Sequence, residues 1–472
     1  MRRDRIVPLI IAVALFMENM DSTVIATSLP AIATDIGANP LELKLAVTSY
    51  LLSLAIFIPA SGWTADRFGA RTVFRAAIAV FMLGSIGCAL SSSLTDFVIA
   101  RIVQGMGGAM MTPVGRMVLV RSISKRELVN AMAWVTTPAL IGPVLGPPVG
   151  GFITTYATWH WIFIINLPIG LLGIVLATRY IDDLRAEKRE RFDIFGMVLA
   201  GLGIAGVAFG LSVLGLNFLP WWIVVALVAS GACFIVAYLL HARHTENPAL
   251  DLTLFKLPTF FASVTGGFIF RLGLGALPFL LPLMLQVGFG MTPFQSGMVT
   301  FATALGAMGM KWATVFILRR FGFRSILIVN PLISAAFLAV CAFFTASTPL
   351  AVMVGLLLVG GFFRSLQFTS INTIAYAEVE AHRVSKATAL VSVAQQLSVS
   401  TGVAVGALAV EAAVRLRGTG ILEARDFPPA FLAVAAISAL SVFIFIRLPS
   451  DAGAEMANRL PAPGDPADQR VG

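Results

Sequence analysis

Two carboxylates stand three residues apart inside an apolar stretch: Glu18 and Asp21, in Phe16-Met-Glu-Asn-Met-Asp-Ser-Thr-Val24. An ionisable side chain in hydrocarbon is expensive, so one placed there is a functional candidate by default. Its chemistry would be reversible protonation, driven by surroundings that alternate between water and protein. Arg101 is the natural partner. Asp21 lies roughly 21 Å into its run, counted from the N-terminal side at about 1.5 Å per residue, and Arg101 within about 8 Å of the opposite face. In a hydrocarbon core about 30 Å thick the two depths nearly coincide. The arginine either holds the carboxylate ionised in one state of a cycle or forms a static ion pair that fixes the first apolar run to the fourth. Glu18 shares a helix face with Asp21 and either carries the proton with it or wets a cavity.

The second half of the chain is cationic instead. Arg271 and Arg364 fall near the middle of their apolar runs, and Lys311 about two turns from an end. A lysine so placed can snorkel to the interface; the two arginines are too deep, and must pair or face a cavity that admits an anion. With Gln286, Gln367 and Asn372 these three are the candidate substrate cavity, and Gln395 and Gln396 add polar groups nearby. Glu411, near the end of its run, is expected to be interfacial. Cys88, Cys233 and Cys341 sit in apolar runs as packing residues, with no disulfide framework or metal spacing. The four histidines fall at run ends or in loops. No phosphate-binding loop, dinucleotide fingerprint or metal motif occurs, so the sequence points away from an enzyme, a cofactor and ATP-driven transport.

The elements that position these residues follow from composition. Of 472 residues 58% are hydrophobic and 12% charged, against about 25% charged in a soluble domain. That deficit identifies an integral membrane protein. The net charge of +9 resides in short loops between apolar runs, so it reports topology rather than nucleic-acid binding. Runs long enough to span a bilayer lie near 7–29, 45–65, 73–92, 97–119, 129–155, 160–180, 194–215, 219–240, 259–286, 293–317, 325–345, 350–374, 387–412 and 429–447. The reading is an all-α polytopic membrane protein of about fourteen helices. The first run is too long and too acidic for a cleaved signal peptide and reads as an uncleaved first helix.

Basic residues mark alternate loops: Arg2, Arg3 and Arg5; Arg67, Arg71 and Arg75; Arg121, Lys125 and Arg126; Arg179, Arg185, Lys188, Arg189 and Arg191; Arg319, Arg320 and Arg324. The positive-inside rule then places both termini in the cytoplasm. Arg415, Arg417 and Arg425 fall in an outside loop, balanced in part by Glu423 and Asp426. Arg67-Phe-Gly-Ala-Arg71 is echoed by Arg320-Phe-Gly-Phe-Arg324, which implies two parallel six-helix repeats with two helices between them. The expected division is a first bundle at 1–181, two inserted helices at 182–250, a second bundle at 251–448 and a disordered cytoplasmic tail at 449–472.

One run stands apart, Ile141-Gly-Pro-Val-Leu-Gly-Pro-Pro-Val-Gly-Gly-Phe152. In water each Gly would cost a helix about 1 kcal/mol and each Pro about 3 kcal/mol. Within a bundle, neighbouring helices can satisfy and pack against such a backbone. Gly142, Pro143, Gly146, Pro147, Gly150 and Gly151 therefore predict a kinked, closely approached helix.

Taken in order, these stretches resemble the major facilitator superfamily, in its fourteen-helix drug:proton antiporter branch. Gly62-Trp-Thr-Ala-Asp66-Arg67-Phe-Gly69-Ala-Arg71 resembles the loop signature between helices two and three, Arg101-Ile-Val-Gln104-Gly105 the helix-four motif, and Gly142 through Gly151 the helix-five antiporter motif. Met20-Asp21 through Pro30 resembles the helix-one signature of that branch. Trp159 to Pro168 and Leu283 to Gly290 are similar to a subgroup described as multidrug exporters. The resemblance covers nearly the whole chain. It implies alternating access, with Asp21 as the proton or substrate carboxylate, Arg101 its partner, the helix-five run a seam that limits leak, and Asp66, Arg67 and Arg71 a cytoplasmic latch. It implies proton-driven efflux of a small molecule across a bacterial cytoplasmic membrane by a monomer, with a periplasmic adaptor conceivable in a Gram-negative host. The second half departs from the pattern, with Val315 and Arg319 where the first has Gly62 and Asp66. Its cations motivate an alternative, export of an organic anion such as citrate or a metal–citrate complex. A receptor or scaffold on the same fold would have no need of buried ionisable groups.

Overall fold

The computed structural model describes residues 3–122, 128–182, 192–214, 216, 219–418, 420–454 and 456, and every regular element among them is helical. Thirteen helices are long and apolar enough to cross a membrane: α1 Ile6–Thr27, α2 Lys44–Phe68, α3 Ala70–Leu90, α4 Leu94–Val120, α6 Trp161–Tyr180, α7 Ile194–Val213, α8 Trp221–His244, α9 Pro258–Gly288, α10 Pro293–Phe321, α11 Phe323–Phe343, α12 Leu350–Ile374, α13 Val384–Arg417 and α14 Ala424–Phe445. Between α4 and α6 runs α5, Leu128–Tyr156, 29 residues that stay helical despite Pro138, Pro143, Pro147 and Pro148. Large side chains face outward, among them Trp221, Trp222, Phe316 and Phe443, as lipid rather than water requires. The loop basic residues at 125–126 and 185–191, and the tail beyond Met456, lie outside the described residues.

The packing repeats. In the first half α1 packs on α5 and α6, α4 on α2 and α3, and α3 on α6. Moved on by eight helices, the same pattern holds: α9 on α13 and α14, α12 on α10 and α11, and α11 on α14. The halves meet through α5 against α10 and α2 against α13, again a symmetric pair, while α7 and α8 pack on each other and α7 leans on α2 and α13. Two turns enforce the repeat locally. Gly69 joins α2 to α3 with φ 94° and Gly322 joins α10 to α11 with φ 78°, a region that side-chain-bearing residues avoid. Two residues on, Arg71 donates to the Ile181 carbonyl at 3.5 Å, and Arg324 to the Leu448 carbonyl at 2.8 Å. Each arginine thus caps the C-terminal end of the last helix of its own half, where backbone carbonyls lack partners.

Small residues set how closely helices approach. On α5, Gly142, Gly146 and Gly150 recur at intervals of four and face α1. A Cβ would lie 3.0 Å from the Phe16 carbonyl oxygen at Gly142, 2.0 Å from Thr23 Oγ1 at Gly146 and 2.4 Å from the Val24 carbonyl oxygen at Gly150. Gly151 and Pro147 face the other half: a Cβ on Gly151 would lie 2.4 Å from the Pro293 carbonyl oxygen, and one on Gly297 of α10 would lie 2.3 Å from that of Pro147. One run therefore supplies two seams, one inside the first half and one between halves. Hydrogen bonds between the halves gather at this same end, remote from the N-terminus: Phe294 N to Thr155 Oγ1 at 3.0 Å, Gln286 Nε2 to the Thr27 carbonyl at 2.9 Å and Ser400 Oγ to the Thr48 carbonyl at 3.5 Å.

Candidate functional site

Asp21 sits in the middle of the first half, 1% exposed. Arg101 NH1 donates to its Oδ2 at 2.8 Å, and Gln104 Nε2 and Asn166 Nδ2 each donate to its Oδ1 at 2.8 Å. Four helices converge on this carboxylate. Arg101 and Gln104 are one turn apart on α4, so one face delivers both, and Arg101 NH1 also bonds Gln104 Oε1 at 2.5 Å. Ser85 of α3 closes the network, its Oγ accepting from Gln104 at 2.9 Å and from Asn166 at 3.2 Å. The guanidinium lies 4.1 Å from the centre of the Tyr50 ring and reaches the Ala46 carbonyl at 3.5 Å. Gly105 permits that approach of α2, because a Cβ there would lie 2.7 Å from both Ser53 Cβ and the Tyr50 carbonyl oxygen. Asn166 is placed by a break in the chain. Pro168 lacks the N–H that would continue the short helix Trp161–Ile164, and a fresh helix starts at Asn166.

Beside the network a cavity of about 280 Å³ lies between the halves, lined by Glu18, Tyr50 and Arg101 on one side and Pro278, Gln395 and Gln396 on the other. Glu18 is half-buried and accepts from Thr112 Oγ1 at 2.8 Å. The two carboxylates expected to share a role are thus divided, Glu18 facing the cavity and Asp21 sealed behind Arg101.

The six polar residues expected to form the substrate cavity of the second half are scattered rather than gathered in one site, apart from the Arg271–Asn372 pair, and none lines this cavity. Arg271 is buried, donates to Asn372 Oδ1 at 2.7 Å and lies 5.4 Å from the centre of the Phe368 ring. Arg364 is buried against Thr303 Oγ1 at 3.4 Å. Gln367 bonds Asn330 at 3.1 Å, and Gln286 belongs to the inter-half seam. Lys311 is exposed on the outer face of α10 beside Trp312. The reason is direction: a position along helices nine, ten or twelve does not fix which neighbour a side chain faces, and these face different ones. Glu411 is also more than interfacial, since its Oε2 lies 3.7 Å from Nζ of the fully buried Lys44 across the halves. Arg417 pairs with the two acids of its own loop, Asp426 at 2.6 Å and Glu423 at 2.7 Å. In the loop signature, Arg67 lies over the rings of Trp63 and Phe68, and a Cβ on Gly62 would meet only Met117 Cε, at 4.0 Å.

Sequence reasoning missed Ser85, Asn166 and Lys44. Asn166 lay within a stretch noted for its resemblance, but neither it nor Ser85 carries a charge, so burial alone did not mark them.

Comparison with known proteins agrees with this architecture. The Major Facilitator Superfamily profile matches residues 11–240 and 263–467. The chain is 38% identical over 450 residues to the "Putative multidrug resistance protein MdtD" of Salmonella heidelberg, covering 94% of each, and equally to that of Salmonella typhimurium. Among solved structures it superposes on a D-xylose–proton symporter with TM-score 0.67 at 15% identity, covering 95% of this chain and 98% of that one. A bacterial homolog of the human lysosomal transporter Spinster gives TM-score 0.66 at 14% identity, over 98% and 99%. These relatives are transporters rather than enzymes, and the helices make this a multi-pass protein of the bacterial inner membrane. The chain belongs to the Major Facilitator Superfamily and is a membrane transporter of small molecules.

Proposed function

We propose that the protein is a proton-coupled efflux carrier for amphipathic drug-like molecules, working by alternating access with Asp21 as the proton site. One observation carries the reading: a carboxylate sealed from solvent and met by three hydrogen-bond donors lies behind Arg101, a residue that also lines the central cavity. A group so enclosed can exchange a proton only when the halves rearrange, which is what couples proton movement to an alternating cycle. Cargo in the cavity meets the Glu18 carboxylate, Gln395 and Gln396, and apolar walls that include Pro278 and Val399. That lining suits a cationic or neutral amphiphile. The organic-anion alternative loses its support, because Arg271, Lys311 and Arg364 stand away from the cavity. The α5 seam against α10 limits leak at the end remote from the termini, and the signature loop between α2 and α3, with Asp66, Arg67 and Arg71, latches the other, cytoplasmic, end. The division into two six-helix bundles joined by α7 and α8 belongs to the same reading, as does drive by the proton gradient alone, in a monomer, with an adaptor protein optional.

The test is flux in proteoliposomes. An imposed proton gradient is expected to drive uptake of ethidium, a lipophilic cation, against its own gradient, and Asp21→Asn to reduce that flux at least tenfold. Equal flux in the variant, or wild-type flux indifferent to the gradient, overturns the reading.

A further inference from the structure

The hydrogen bonds around Asp21 have a polarity that suits only one of its charge states. Arg101 NH1, Gln104 Nε2 and Asn166 Nδ2 are all donors. A protonated Asp21 would direct its own O–H at groups that cannot accept it, and an unmade buried hydrogen bond is costly. One of the three can be reversed. Gln104 is locked, because its Oε1 already accepts from Arg101, so turning its amide would set N–H against N–H. Arg101 has no acceptor to offer. Asn166 is free to turn: its Oδ1 is buried with no hydrogen-bond partner. Its other neighbour, Ser85 Oγ, accepts from both Asn166 and Gln104, which leaves the hydroxyl proton available to donate.

We propose that Asn166 is a positioning residue for the proton step, a two-way amide that donates to Asp21 when the acid is ionised and, rotated by half a turn, accepts from it when it is protonated. Rotation brings Oδ1 to where Nδ2 now stands, facing both Asp21 and Ser85, and both can then donate to it. The unpartnered oxygen of the present state is the acceptor the other state requires. The other titratable groups around Asp21 are Arg101 from α4, Tyr50 from α2, Cys88 from α3 and Glu18 one turn back on α1, while α5 presents glycines to this stretch. Tyr50 turns its ring to Arg101, and the Cys88 thiol is directed at Gln104 Oε1, so none of these takes the place of Asn166. The inference rests on Asp21 being the proton site.

Infrared difference spectroscopy of the purified full-length protein across a pH titration needs no substrate and separates the two claims. A carboxyl C=O band that appears on acidification and is absent in Asp21→Asn is expected in the wild type; no such band sinks the proton-site reading and the inference with it. With the band present, Asn166→Leu, which neither donates nor accepts, is expected to move it to higher frequency, because the carboxyl loses its acceptor, and to shift its titration midpoint by half a pH unit or more. Asn166→Ala, a smaller side chain that avoids any clash, is expected to act in the same direction. A band unchanged in frequency and midpoint in either folded variant overturns the role of Asn166 and leaves Asp21 standing.

Discussion

Asp21 and Arg101 illustrate why a buried pair is more informative about function than about stability. Taking two charges out of water costs about what their attraction returns, whereas removing one partner strands the other. Arg101→Ala, which strands Asp21, and Asp21→Asn, which strands Arg101 and sets an N–H donor among donors, are therefore each expected to destabilise the folded protein by about 3 kcal/mol or more, read as a lowered unfolding temperature of the purified protein. An unchanged unfolding temperature in both would argue that packing, not charge, governs this site. The pair was legible in the sequence because a charge inside a twenty-residue apolar run is conspicuous, and depth counting brings the two to one level. Asn166 and Ser85 were not, since an amide or hydroxyl in such a run carries no comparable penalty and its partners are fixed only by how α3 and α6 rotate. Arg271 and Arg364 show the limit of depth counting: each falls near the middle of its helix, but position along a helix does not say which way a side chain points around it.

At the scale of elements, α5 was legible in kind but not in detail. The Gly/Pro run announced close approach, yet only the structure divides it into a face at Gly142, Gly146 and Gly150 for α1 and a face at Pro147 and Gly151 for α10. Gly146→Val must displace Thr23, and overpacking of this kind costs about 1–3 kcal/mol; a lowered unfolding temperature is expected, whereas Gly62→Ala, with no atom nearer than 4.0 Å, should leave it unchanged. A second element-level tie joins the α8–α9 connection to α13. Asp251 accepts from Arg383 at 2.8 Å and from Thr253 Oγ1 at 2.6 Å. Burial pushes its carboxyl upward, but these hydrogen bonds together outweigh burial and hold it below the ordinary carboxylate value of 3.8. A depressed value contributes stability that is present above the unfolded pKa and is lost as pH falls through the folded one. Acidification below about pH 4 should thus lower the unfolding temperature of the wild type more than that of Asp251→Asn; parallel curves would show that the tie contributes nothing.

For the whole molecule, the pattern of apolar runs and the echo of Arg67–Arg71 in Arg320–Arg324 were enough to anticipate helix number and a repeat, because in lipid the backbone leaves few alternatives. The symmetric joining of α5 to α10 and α2 to α13 was beyond reach, since each helix is apolar on all sides and the sequence does not say which side meets protein. Orientation rests on the basic loops. A single cysteine introduced at Ser347, in a background freed of the three native cysteines, is expected to react with an impermeant maleimide added outside right-side-out vesicles, and one at Arg67 only after permeabilisation; the reverse pattern would invert the topology.

If Asp21 is the proton site of an exchanger, cargo and proton are expected to exclude one another through it. Adding ethidium to detergent-solubilised protein in weakly buffered solution, over a series of starting pH values, measures this with a pH electrode. Proton release that saturates with ethidium binding is expected in the wild type and is expected to be lost in Asp21→Asn while binding persists. Saturable binding by the wild type without proton release, or equal release from the variant, would contradict it.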